Sequence, residues 1–183
     1  FGAGGVEIFQ SSSTGSPGQN DDPVSQVRGG EEFGGLYTRQ LDIAASQAAG
    51  QYVFIGDENE KVLVGNGLPD FSLGFANSFT YGNLDFNFFL RGDFGHSIAN
   101  MPANFYGQHG NAVSRPIDNL IVNDRFLEGV ISAPKFSDYF VEKASFLALD
   151  NAQVGYKFDL GEGTGFDNIR VYVAGQNLFY ITD

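Results

Sequence analysis

Residues Pro69–Gly95 read PDFSLGFANSFTYGNLDFNFFLRGDFG and carry the clearest structural pattern in the chain. Large apolar side chains alternate with small or polar ones on both sides of Gly82-Asn83, the pattern of two strands joined by a tight hairpin turn. The predicted strands are Phe71–Tyr81 and Leu84–Phe94. A two-residue turn fixes their register and places one apolar set on a single face: Phe71, Leu73, Phe75, Phe79, Tyr81, Leu84, Phe86, Phe88 and Leu90.

The predicted register pairs Tyr81 with Leu84, Phe79 with Phe86 and Thr80 with Asp85. Small residues of the first strand then lie opposite larger ones on the second face. The polar residues of that face are Asp85, Asn87, Arg91 and Asp93.

The length of these two strands favours a membrane-spanning sheet. A strand in a soluble sandwich usually has about 5–6 residues, whereas each strand here has about 11. At about 3.3 Å per residue and a tilt of about 40°, such a strand rises about 28 Å, close to the height of the apolar band of an outer-membrane barrel. The sequence therefore predicts an all-β, antiparallel transmembrane β-barrel segment. An antiparallel sandwich whose Phe residues fill a core remains the alternative.

The connections between predicted strands support the barrel. The tight turn is followed by an irregular segment at 95–145, and the next connection is a short Gly-rich turn at 161–165. Bacterial barrels alternate short periplasmic turns with long extracellular loops in this way. We therefore expect 95–145 to be an extracellular loop.

Other strands are predicted from alternation along the chain. They lie at 34–43, 51–56, 61–65, 145–160 and 167–179. Within 145–160 the apolar phase changes at Asp150-Asn151, which predicts a β-bulge or a bend. Residues 1–35 are predicted to be an irregular strand end and linker, because 11–23 reads SSSTGSPGQNDDP. Residues 36–183 are then the barrel segment.

Composition excludes several classes of protein. The chain has 10 basic and 22 acidic residues, a net charge of -12, which disfavours nucleic-acid binding. It has no Cys, and hence no disulfide, thiolate metal site or cysteine nucleophile. No apolar run reaches the roughly 18–20 residues of a membrane-spanning helix. The chain begins without Met and ends directly after a strand-like run, so we expect it to be an internal piece of a longer protein.

No pattern in the chain predicts a catalytic, metal or cofactor site. His96 and His109 lack the spacing of zinc ligands or of a nucleophile–base pair. Asp57, Asn59 and Glu60 do not match a calcium loop, and the turn at 161–165 lacks the Lys and helix of a phosphate loop. We therefore expect no enzyme activity and no cofactor.

Four segments resemble one family, the SusC/RagA-type TonB-dependent outer-membrane transporters. GLPDFSLGFANSFTYGNLDFNFFLRGDFG at 67–95 resembles the family's PxF-x-x-GF-x-N-x-F-x-Y stretch and the N-(L/F)-D strand after it. FVEKASFLALDNAQVGYKF at 140–158 resembles its YVEDASFLRLKNVTLGY-like signature, and IRVYVAGQNLFYITD at 169–183 its IRVYVSGQNLFTITDY-like run. EEFGGLYTRQ at 31–40 is more loosely similar to its IGSFYGY-like element.

The resemblance implies the late part of a barrel of about 22 strands in the bacterial outer membrane. Such proteins import oligosaccharides, peptides or other large nutrients, are driven by TonB, and work beneath a SusD-like surface lipoprotein. The plug and the TonB box of the family lie towards the N-terminus, outside this sequence. Ala148 and Asp150 depart from basic positions of the family pattern, which leaves open what charge this strand contributes to ligand binding.

The barrel interpretation assigns a role to each face of the hairpin. The nine apolar residues given above are predicted to face outer-membrane lipid. Asp85, Asn87, Arg91 and Asp93 are predicted to face the lumen, and we favour a solvated wall over direct substrate contact for them. Two other classes of protein remain open. One is a soluble all-β carbohydrate-binding or adhesion module, and the other is an enzyme whose active-site residues lie outside this chain.

Overall fold

The computed structural model describes residues 8–13, 23–57, 60–110, 123–161, 165 and 167–183, which fall into two compact units. The first unit takes Phe1–Leu68 and His96–Lys143, and the second takes Pro69–Gly95 and Ala144–Asp183. The strands are β1 Ile8–Ser13, β2 Pro23–Arg28, β3 Gly35–Thr38, β4 Val62–Asn66, β5 Phe71–Tyr81, β6 Leu84–Phe94, β7 Ser97–Ala99, β8 Val141–Lys143, β9 Phe146–Asp159 and β10 Asn168–Thr182. The helices are α1 Ile43–Ala49 and α2 Met101–Tyr106. None of the helices in the described part of the chain has the length and apolar character needed to cross a membrane.

The second unit is one antiparallel sheet with the strand order β10-β9-β6-β5. The predicted bounds of β5 and β6 are confirmed, and so is their register from Phe71–Phe94 to Tyr81–Leu84. Gly82 has a φ of +56°, the positive value that a type II′ hairpin turn requires at its first position. A two-residue turn fixes which residues of the two strands pair. The register could therefore be predicted from the turn and from the alternation of apolar residues on either side of it.

The phase change in β9 is a β-bulge, as predicted. Phe89 pairs with Asn151 and Leu90 pairs with Leu149, so Asp150 is an extra residue relative to β6. On the other side of β9, the register with β10 shifts between Gln176 and Phe179. Asn177 lies in this shift with a φ of +51°, a left-handed conformation that Asn adopts more readily than most residues. The two irregularities keep Leu147, Leu149, Phe179 and Ile181 on the same face as Phe86 and Phe88, whereas Phe89 and Phe146 lie on the other face.

The first unit contains a sheet with the order β1-β2-β3-β4, and here several predicted strands are wrong. The strand predicted at 34–43 ends at Thr38. The residues at the end of the predicted strand begin α1 instead, because the Asp42 side chain caps this helix by accepting a hydrogen bond from the Ala45 N–H at 2.9 Å. The strand predicted at 51–56 is reduced to one bridge between Leu41 and Phe54. The strand predicted at 34–43 is thus present in its first half, as β3, and the strand predicted at 61–65 is present as β4.

The segment predicted to be irregular, 95–145, is ordered over most of its described part. It contains β7, α2, β8 and a 3-10 turn at Asp138–Phe140, while 111–122 lie outside the described residues. The core cluster of the first unit consists of Val24, Leu36, Leu41, Tyr52, Ala103, Leu127, Val130, Phe136 and Phe140, and the last five of these come from this segment. Burial in this core also raises the pKa of the Tyr52 hydroxyl. The segment is therefore a packed part of the unit.

The predicted linker overlaps two strands. Ser11–Ser13 belong to β1 and Pro23 begins β2, and β1 pairs with β2 in an antiparallel ladder. The remainder of the predicted linker, 14–22, lies outside the described residues. The division of the chain at residue 35 stays a prediction.

Candidate functional site

The sheet of the second unit has two chemically different faces, because strand residues in register share a face and alternate along each strand. We call one the apolar face. Its large side chains are Phe71, Leu73, Phe75, Phe79 and Tyr81 on β5, Leu84, Phe86, Phe88, Leu90 and Phe94 on β6, Leu147, Leu149, Val154, Tyr156 and Phe158 on β9, and Ile169, Val171, Val173, Phe179 and Ile181 on β10. The opposite side is the polar face.

The apolar face is well organised and uncovered. Phe71 and Phe94 stack with their ring centroids 4.7 Å apart, and Phe86 and Phe88 lie 5.5 Å apart. Phe79 is nevertheless 54% exposed and Val173 72% exposed. A contiguous apolar surface of this kind marks contact with a membrane or with another protein.

The nine residues predicted to face lipid all lie on the apolar face. Phe88 and Leu90 are half-buried and the other seven are exposed. Their common face is thus an observation, while their contact with lipid stays a prediction.

The four residues predicted to face a lumen all lie on the polar face of β6. Three of them form hydrogen bonds or ion pairs with side chains of other strands in the sheet. Asp93 accepts a hydrogen bond from the Ser72 hydroxyl at 2.6 Å, and Arg91 donates its Nε hydrogen to Asp150 at 2.9 Å.

Asp85 is the third of these residues, and its partner lies two strands away. Arg170 on β10 donates its Nε hydrogen to Asp85 Oδ1 at 2.9 Å, and its Nη2 donates to Asp85 Oδ2. β9 runs between them, and Gly155 is the β9 residue in register with Asp85. The Arg170 guanidinium crosses β9 directly over Gly155.

Sequence reasoning missed Asp150 and Arg170 as members of this site. The alternation placed Arg170 on the right face of β10, but nothing local to the sequence indicates a pair with β6 across an intervening strand. Asp150 is the extra residue of the bulge, and its side chain meets Arg91 on the polar face. A usable signal was the glycine at 155, since a strand glycine often marks a close approach by another group.

Between the two ion pairs the polar face carries uncharged amides. Asn87 lies in register with Ser78 and Gln153, and Asn151 lies in register with Gln176. Side-chain amides both donate and accept hydrogen bonds. These amides can bind polar groups of a ligand through hydrogen bonds.

The polar face offers no metal-binding chemistry among its described residues. Nowhere in the described ranges do three His, Asp or Glu side chains come close enough to hold a metal ion. His96 and His109 belong to the first unit, where His109 is exposed. Asn59 and 162–164, from the calcium-loop and phosphate-loop hypotheses, lie outside the described residues.

Comparison with known proteins gives relatives of one kind. No family model matches the chain. It is 30% identical over 135 residues to TonB-dependent receptor P3 of Formosa agariphila, covering 68% of this chain and 13% of that protein. It is 32% identical over 140 residues to TonB-dependent receptor P39 of the same bacterium, covering 68% and 14%. It is 27% identical over 138 residues to TonB-dependent receptor SusC of Bacteroides thetaiotaomicron, covering 69% and 13%.

Solved structures with a similar fold include two states of the RagAB peptide importer. The closed-closed state matches with a TM-score of 0.67 and 16% identity over 98% of this chain and 22% of that one. The open-open state matches with a TM-score of 0.61 and 16% identity over 81% and 19%. At this identity the likeness concerns the fold alone. The chain spans well under a quarter of the length of these relatives and structures.

Proposed function

We propose that this chain, which belongs to the SusC/RagA-type family of TonB-dependent receptors, forms part of the wall of an outer-membrane barrel that imports large nutrients. The observation that carries the proposal is the division of one long sheet into an uncovered apolar face and a polar face. The strands of this sheet have 11, 11, 14 and 15 residues. An outer-membrane barrel needs strands of about 9–11 residues with lipid on one side and a polar interior on the other.

The apolar face is then the surface in contact with lipid, and the polar face lines the lumen of a barrel of about 22 strands. Strand pairing satisfies the backbone groups of β6 and β9 on both sides, as hydrocarbon requires. β5 and β10 form the two edges of this sheet, and in the parent barrel they would pair with further strands.

The orientation follows from the loops. The Gly82-Asn83 turn and the connection between β9 and β10 would face the periplasm, since short turns lie on that side of bacterial barrels. β6 ends and β9 begins at the other end of the sheet, where Asp93 pairs with Phe146. The residues that connect these two strands, His96–Lys143, would therefore be extracellular and available to a ligand or to a SusD-like surface lipoprotein.

The imported nutrient is an oligosaccharide or a peptide, and uptake is driven by TonB. RagAB is described as a peptide importer, which supports a peptide, and the names of the sequence relatives, TonB-dependent receptors, support uptake driven by TonB. Receptors and importers are not enzymes, which is consistent with the expected lack of catalytic activity.

The first experiment is to sequence the DNA on both sides of the coding region for this chain. An upstream signal peptide, plug and TonB box, with a neighbouring lipoprotein gene, would support the proposal. A start codon directly before Phe1 and a stop codon directly after Asp183 would overturn it, because four long strands cannot close such a barrel. A soluble carbohydrate-binding or adhesion module would then be the function to pursue.

A second experiment tests transport in cells that carry the full-length gene. The wild-type gene should restore growth on the nutrient that a deletion strain cannot use, while a gene with its TonB box removed should not. A tagged wild-type receptor should also co-purify the neighbouring lipoprotein. Restored growth without the TonB box would contradict energy-driven import.

A further inference from the structure

Gly155 is a buried residue in the middle of β9, on the polar face, with an ordinary strand conformation. It lies in register with Asp85 on β6 and with Tyr172 on β10. A glycine inside a strand weakens the strand, because it has no side chain to pack and loses more backbone freedom on folding. A specific requirement must therefore favour glycine at this place.

The requirement is visible in the space above Gly155. A Cβ atom at this position would lie 2.5 Å from Arg170 Nη2 and 2.8 Å from both Nε and Cζ. These are the atoms of the guanidinium group that reaches Asp85. Any side chain at 155 would occupy the path by which Arg170 crosses β9.

We propose that Gly155 is a positioning residue that lets Arg170 cross β9 and cancel the charge of Asp85 on the face that meets the ligand. The inference rests on the proposed function only in so far as this face meets a ligand. With any other residue at 155, Arg170 would turn away from Asp85 and two separate charges would stand on the wall.

The amides of the polar face extend this argument. Asn87 and Gln153 lie one row beyond Asp85 and Gly155 on the same face, and the second ion pair, Arg91–Asp150, lies further along the sheet. The same face also carries the charged side chains of Asp93, Lys157 and Asp159. The crossing of Arg170 over Gly155 therefore neutralises one pair of charges beside the amides, which can bind a ligand through hydrogen bonds.

The test uses Gly155→Ala in the full-length protein, purified from outer membranes in detergent. Phenylglyoxal labels accessible Arg side chains, and a carbodiimide with an amine labels accessible carboxyl groups. Mass spectrometry then reports the labelling of Arg170 and Asp85 separately. This readout does not depend on transport, so a failure of the inference and a failure of the proposed function can be told apart.

We expect Gly155→Ala to raise the labelling of both Arg170 and Asp85 several-fold. The matched control is Gly74→Ala on the same face, where a Cβ would lie 3.7 Å from the Phe89 ring, an ordinary contact. Gly74→Ala should leave both labels at the wild-type level. Unchanged labelling of Arg170 and Asp85 in folded Gly155→Ala protein would overturn the inference.

Gly155→Ala could also fail to fold, and a second variant decides that case. Arg170→Met removes the guanidinium that the new methyl group would meet. If Gly155→Ala with Arg170→Met folds while Gly155→Ala alone does not, the conflict lies between the methyl group and Arg170, as inferred. If the double variant also fails, Gly155 serves the packing of the strand itself and the inference is wrong.

Discussion

Arg91 on β6 donates its Nε hydrogen to Asp150 on β9 at 2.9 Å. Asp150 is also the extra residue of the β9 bulge, the one that has no register partner on β6. The ion pair and the bulge are thus one structural feature. The bulge also reverses the phase of β9, so that Leu149 and Val154 reach the same apolar face although their spacing is odd. The two functions of Asp150 can be separated by mutation.

Neither substitution nor deletion of Asp150 should move the apolar side chains of β9 to the other face. Asp150→Asn removes the charge pair, whose side chains are 44% and 22% exposed, and should change the free energy of unfolding only slightly. Deleting Asp150 removes the extra residue of the bulge, so Leu149 and Asn151 become neighbours, as Leu90 and Phe89 already are on β6, and Leu149 and Val154 keep their common face. The control is deletion of Asn87 from β6, whose ladder with β5 has no bulge, because it places Phe86 and Phe88 on opposite faces. We expect the Asp150 deletion to fold and the Asn87 deletion to fail, measured by the mobility difference between unheated and heated samples on a gel. Failure of both variants would contradict the bulge.

An arginine on the apolar face tests contact with lipid. Phe86→Arg and Phe88→Arg should each lower the free energy of unfolding in lipid vesicles by about 2–4 kcal/mol if the positions lie near the bilayer midplane. The neighbouring Asn87→Arg places the same group on the polar face and should cost much less. Denaturant titration of the three variants gives the comparison. Tolerance of Arg at both Phe positions would count against a lipid-facing surface.

The hairpin turn depends on the backbone of Gly82. Its φ is +56°, and a Cβ added there would meet no atom within 4 Å, so any cost of substitution comes from the backbone alone. Gly82→Ala should lower the free energy of unfolding by about 1–2 kcal/mol. The neighbouring Asn83→Ala should cost less, since the φ of Asn83 is not positive. The same denaturant titration measures both, and an equal loss for the two variants would show that the φ of Gly82 is not the cause.

Gln108 holds the long connection of the first unit together. Its Nε2 donates to the carbonyl oxygens of Ala103 at 3.0 Å and Arg125 at 2.7 Å, and its Oε1 accepts from the Leu127 N–H at 3.1 Å. Gln108→Met keeps the length of the side chain and removes all three hydrogen bonds.

Each buried backbone group that loses its partner costs about 1–3 kcal/mol, so Gln108→Met should strongly destabilise this segment. Hydrogen exchange of the backbone amides at 123–130, read by mass spectrometry, should become markedly faster. The exposed neighbour gives the control, because His109→Ala should leave this exchange unchanged. Unchanged protection in Gln108→Met would mean that the segment is held by its apolar contacts alone.

The β5–β6 hairpin, its register and the bulge at Asp150 could all be predicted from the amino-acid sequence. All three depend on the two-residue period of a strand and on a turn of fixed length, so they are visible in neighbouring residues. The same period predicted that Phe86 and Asp85 lie on opposite faces of the sheet. The resemblance of the chain to a known family was visible in its motifs at 67–95, 140–158 and 169–183.

The organisation of the described part of 95–145 and the ion pairs of the polar face could not be predicted from the sequence and depend on the packing of the folded chain. Phe136 and Phe140 are fully buried although only a single 3-10 turn lies in this part of the segment, because residues distant in sequence cover them. Asp85 and Arg170 are 85 residues apart, and their pair needs a glycine on the strand between them. Local periodicity fixes which face a side chain takes, whereas its partner is fixed by which strands are neighbours and by the space that a third residue leaves open.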